Sequence, residues 1–163
     1  MAWWEDELAT IIVDRANEDT GSGGLFNATT PLIQDIWWYR SANAIELDSD
    51  GLPPLPWIAF DMQDDTATDA FETDIIPVVI LFNIFDRAEK GLTRVNVVKE
   101  RLYGDGIDPS YGFHRWIASS LNPSVDEWTP TAMRYQGRGR GGESDEDIVH
   151  EYMRFIIYMS RRA

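Results

Sequence analysis

Cysteine is absent from this 163-residue chain, and histidine occurs only twice, at His114 and His150. The first absence excludes a disulfide framework, a Cys-ligated zinc and a thiol nucleophile, and it suits a reducing compartment. The second leaves little for imidazole chemistry. No His-x-x-x-His or comparable spacing exists, so a shared metal centre lacks its ligands. His114, in Phe-His-Arg-Trp, reads as a packed or surface imidazole, and His150 as a strand residue facing solvent or a neighbouring strand. Long apolar runs are missing too: Ile75 to Phe82 is far too short to span a bilayer. The start, Met1-Ala2-Trp3-Trp4-Glu5-Asp6-Glu7, is acidic and has no apolar core, so no secretory signal and a soluble intracellular product are expected. Bases are scarce, 14 Lys+Arg against 28 Asp+Glu, for a net charge of −14. That balance argues against tight binding to nucleic-acid phosphates or anionic lipid, both of which need compensating basic surface.

Motifs of catalysis are likewise missing. There is no Gly-x-Ser-x-Gly elbow, and Ser119-Ser120 has no partner pattern. Gly21-Ser22-Gly23-Gly24 matches a phosphate-cradling loop in composition alone, without the Lys-Ser/Thr that holds the phosphates. Asp48-Ser49-Asp50-Gly51 is a fragment of a calcium loop without the glutamate that completes it. No catalytic residue, metal set or cofactor is therefore expected, and the chain reads as a non-enzyme. Nothing marks a carboxylate pair for glycoside hydrolysis.

What the chain does have is a globular composition, 44% hydrophobic with seven Trp, on a length suited to one domain over 1–163. Residues 3–16 read as a helix, with Trp4, Leu8, Ile11 and Ile12 at helical spacing and three acids at its N-terminal end. Asn17 to Gly24 ends it. Residues 25–40 admit two readings, a helical turn after Thr30-Pro31 or a strand at Trp37-Trp38-Tyr39. Strands are expected at Trp57–Met62, after a stiff Pro-rich lead-in, and at Asp74–Asp86. The second is apolar on both faces, with Ile76, Val78, Ile80, Phe82 and Ile84 on one side and Ile75, Val79, Leu81 and Phe85 on the other. Such a strand is either central under helices or pressed against another subunit. A helix over 88–103 follows, then a loop-rich stretch, then strands at Trp128–Tyr135 and Ile148–Met159. Between them, Gly137-Arg138-Gly139-Arg140-Gly141-Gly142 and the acids after it read as a long flexible hairpin tip. The plan is α+β: a mostly antiparallel β-sheet flanked by one or two α-helices.

Charge is also unevenly placed. Ser41 to Asp86 holds ten acids and no base, whereas Arg87 to Arg101 holds five bases and two acids. A polarised surface suits register-setting contacts between subunits. The acidic connection after the first long strand gathers Asp61, Asp64, Asp65, Asp69, Glu72 and Asp74. It reads as a solvated or docking hairpin. Arg138 and Arg140 are the candidate partner contacts on the Gly/Arg tip; a nucleic-acid contact there is opposed by the flanking acids.

In layout the chain resembles the bacteriophage tail-terminator or tail-completion family of head–tail joining proteins. The resemblance rests on the N-terminal helix 3–16, the Pro-rich entry Leu55-Pro56-Trp57-Ile58-Ala59-Phe60, the acidic hairpin 63–73 and the strand Ile75 to Phe85. From there the chain runs into the helix with Arg94-Val95-Asn96-Val97-Val98 and the final strand Tyr152-Met153-Arg154-Phe155-Ile156-Ile157. Trp37-Trp38-Tyr39 and the Gly/Arg segment 136–142 depart from that pattern. The resemblance implies a homohexameric ring at the head–tail junction of a virion, assembled in the host cytoplasm, with a tail tube protein and a head-completion or connector protein as partners. DNA would pass through without specific binding, along a channel that the acidic hairpin lines. The face Ile76, Val78, Ile80 and Phe82 is then the candidate subunit interface. A head-closure or neck adaptor is the nearest alternative, a small ligand-binding or hydrolytic domain a more distant one.

Overall fold

Apolar residues alternate along four long segments of the chain, and alternation puts one side chain in two on the same face of a strand. In the computed structural model, which describes residues 4–39, 49, 54–64, 75–103, 128–140 and 147–161, these segments form one sheet. Its strands are β1 (Asp35–Trp38), β2 (Trp57–Asp64), β3 (Ile75–Arg87), β4 (Trp128–Arg140) and β5 (Ile148–Arg161). They lie in the order β1-β2-β3-β5-β4. β1 runs parallel to β2, and every other pairing is antiparallel. With helices α1 (Trp4–Glu18) and α2 (Thr93–Tyr103) the fold is α+β.

Residues 37–38 are thus strand, because their backbone pairs with β2, Trp37 opposite Ala59 and Trp38 opposite Phe60. The expected helix over 88–103 is in two parts. A 3₁₀ turn, Ala88–Lys90, stops at Gly91, whose φ of 60° a residue with a Cβ rarely adopts, and α2 begins afterwards.

The core lies on one face of the sheet. Leu8, Ile12 and Ala16 of α1 are spaced by four residues and all buried. Val95, Val98 and Leu102 form the matching stripe of α2. Both stripes join one cluster with Ile58, Phe60, Val78, Ile80, Phe82, Ile84, Phe155 and Ile157. The candidate interface is corrected here: Val78, Ile80 and Phe82 have 0% exposure within the single chain, and Ile76 packs against the same cluster. Of the two options for a doubly apolar strand, this face took the helices, because both amphipathic helices needed the same apolar surface.

Among the described residues, three ion pairs fix α2. Asp86, fully buried at the end of β3, receives Arg94 through two hydrogen bonds, one of them from Nε at 2.8 Å. Lys99 reaches Glu151 of β5 at 2.6 Å. Arg101 donates to both oxygens of Asp19 at 2.8 Å, and the same carboxylate accepts the Leu25 amide. Asp19 therefore ties the end of α1, the following loop and α2 together. Among the described residues no helix is long and apolar enough to cross a membrane.

Candidate functional site

Among the described residues, two surfaces stand beside the core. The first is a groove of about 900 Å³ between α2 and the β4–β5 end of the sheet. Its wall carries Asn96, Lys99, Glu100 and Tyr103, one helical turn apart or less, and its floor Tyr135, Arg138, Arg140, Glu151 and Met153.

Arg138 and Arg140 arrive there through a backbone irregularity. The Gly/Arg segment is not a loose tip: β4 continues through Arg140, with Arg138 paired to Met153 and Arg140 to Glu151. The register shifts between Tyr135 and Gly137, where Gly137 has φ 154°. Without the shift, odd-numbered residues would keep facing α2. The extra residue flips the alternation, so both arginines join Tyr135 on the helix side. Gly139 falls on the other face, where a Cβ would meet the Tyr152 hydroxyl at 2.6 Å and its ring at 2.7–2.9 Å. Neither arginine forms an ion pair with a described residue.

Glu151 is the unusual member of the groove. Its side chain is only 10% exposed, Oε1 accepts from Lys99 Nζ, and Oε2 is buried without a hydrogen-bond partner. Buried acceptors are normally satisfied, so such an oxygen is a place where a donor is wanted. An inner row of rings, Phe60–Phe82–Phe155–Tyr135–Tyr103, leads from the core to this groove with centroid separations of 4.7–6.0 Å.

The second surface is the sheet face turned away from α1 and α2. A row of rings crosses four strands on it: Trp37–Trp57 at 6.3 Å, Trp57–Phe85 stacked at 5.1 Å, Phe85–His150 stacked at 4.2 Å. The Nε2–H of His150 donates to Asn83 Oδ1 at 2.8 Å, and burial lowers its pKa below the usual 6.5. His150 thus faces its neighbouring strand, one of the two expected positions. Beside the rings, Val79, Leu81 and Ile156 are half-buried, and Tyr39 and Tyr158 are exposed.

Of the acidic set, Asp61 stands on this outer face, where its Oδ1 accepts the Met62 amide and it shares a hollow of about 130 Å³ with Gln63, Val79, Leu81 and Arg154. Asp64 ends β2. Asp65, Asp69, Glu72 and Asp74 lie outside the described residues, as do His114, Ser119-Ser120 and the tip 141–146. Among the described residues no three His, Asp or Glu side chains are grouped so as to hold a metal ion. Lys99 and Glu151 escaped the sequence reading, although Glu151 occupies the inward parity of Val149, Met153 and Phe155. A charge at a core parity was the available signal.

No protein family's sequence profile matches the chain, and no curated protein is significantly similar to it.

Proposed function

We propose that this chain is a non-enzymatic assembly subunit, acting as a ring-forming tail-terminator-like protein that joins a phage tail tube to the head connector. The observation that carries the reading is the outer face of the sheet. Val79, Leu81, Phe85 and Ile156 are half-buried there, Tyr39 and Tyr158 are exposed, and neither α1 nor α2 packs on it. Apolar side chains on a sheet face that neither helix covers, set among Asp61, Asn83 and Arg154, can be buried by a neighbouring subunit with the polar groups fixing its register, and repeated head-to-tail contacts close into a ring. The interface therefore moves from the even-numbered side of β3 to the odd-numbered side. A net charge of −14 per copy suits a passage that does not retain DNA phosphates.

Light scattering on the purified protein, alone and with tail tubes, tests the reading. The expected result is a ring-sized mass, six copies by the family resemblance, that Leu81→Asp abolishes while the far-UV circular dichroism is unchanged. A parent protein that stays monomeric at high concentration and with tubes refutes it.

A further inference from the structure

The groove between α2 and β4 combines features that the assembly reading does not use. It carries three cations, Lys99, Arg138 and Arg140, against two acids, Glu100 and Glu151, in a chain of net charge −14. Lys99 is committed to Glu151, and the two arginines have no carboxylate among the described residues. Glu151 Oε2, on a side chain nine-tenths buried, lacks a donor. Glu151 is enclosed, so the arginines are the groups an occupant can reach, and it must bring carboxylates for them.

We infer that the groove receives an extended acidic segment from a second copy of this chain, in which two carboxylates stand two residues apart. Spacing supports this. Arg138 and Arg140 are two residues apart on one face of a strand, about 6.6 Å along it, and alternate side chains of an extended segment share that repeat. Carboxylates at i and i+2 therefore meet both guanidiniums, each by charge-assisted hydrogen bonds. The sequence carries such a pair around a small hydroxyl residue three times, as Asp48-Ser49-Asp50, Glu72-Thr73-Asp74 and Glu143-Ser144-Asp145. A second copy thus brings the complementary chemistry with it. β4 also ends the sheet, so no further strand among the described residues obstructs the approach from that side. The inference rests on the assembly reading, because it takes a second copy as the source of the segment.

The test has two arms, both on the full-length protein. In the first, a fluorescent peptide of residues 44–52, Ala-Ile-Glu-Leu-Asp-Ser-Asp-Gly-Leu, is titrated with the protein at low salt and followed by anisotropy. Saturable binding is expected, about tenfold or more weaker for R138Q/R140Q and for the peptide with its three acids changed to amides. R134Q, on the outer face, keeps the parent's affinity and serves as the matched charge control. In the second arm the mass of parent and R138Q/R140Q is compared by light scattering. A parent that assembles, with R138Q/R140Q assembling equally and binding the peptide equally, overturns the groove assignment and leaves the assembly reading standing. A monomeric parent overturns the assembly reading, and with it the second copy as occupant.

Discussion

Replacing Lys99 by Met removes one half of an ion pair that solvent barely reaches. The side chains of Lys99 and Glu151 are 9% and 10% exposed, and they meet at 2.6 Å. Screening by water is therefore slight, and the relevant figure is that for breaking a buried pair, about 3–5 kcal/mol. Glu151 is a poor residue to strand, because Oε2 already has no partner and the substitution deprives Oε1 of its own. Against a total stability of about 5–15 kcal/mol for a domain of this class, the loss is large. It corresponds to a fall in Tm of about 6–20 °C for a chain of this length. Removing both charges together, as K99M/E151L, eliminates the uncompensated carboxylate and refills the space with apolar volume, so the double variant should return to within about 1 kcal/mol of the parent. Urea unfolding followed by tryptophan fluorescence, with the slope m checked for constancy, measures all three. A K99M loss below about 1 kcal/mol, or a double variant no more stable than K99M, would refute the claim that the pair is buried and mutually dependent.

Gly24→Ala should be costly despite its small size. The new Cβ would sit 2.3 Å from the Asp19 carbonyl oxygen and 2.8 Å from its carbon, backbone atoms that cannot swing aside. A loss of about 3 kcal/mol, the upper end for overpacking, is expected in the same urea assay. His150 supplies a pH dependence. Burial lowers its folded pKa below 6.5, so as pH falls the unfolded chain takes up the proton first. Stability should be full above that value, decline as pH falls from 6.5 towards the lowered pKa, and level off beneath it. Urea midpoints across this range should show the decline in the parent and a shallower one in His150→Gln; identical slopes would count against it.

Much of the architecture was legible because it depends on local pattern. The alternation in Trp57–Met62, Asp74–Asp86 and Ile148–Met159 marked strands that the sheet extends by one or two residues at each C-terminal end. The stripes Leu8–Ile12 and Val95–Val98–Leu102 marked the two helices. The register shift in β4 was not legible. Gly137-Arg138-Gly139-Arg140 has the composition of a flexible turn, with glycines that favour a loose chain, and only pairing with the side chains and backbone of β5 makes it strand. The acidic set was legible as charge and not as place, since Asp61 belongs to the outer face of a strand.

By itself the sequence determined the fold class, the two helices, the principal strands and the acidic, cysteine-free character, because each follows from residue types at short range. Tertiary structure decided which face of β3 the helices cover, where Trp37 stacks and which way Arg138 and Arg140 point. It also decided that Lys99, a helix residue, meets Glu151 more than fifty residues later. Period-two alternation names two faces of a strand without saying which one is inside; that choice is made only when helices and sheet compete to bury the same apolar surface.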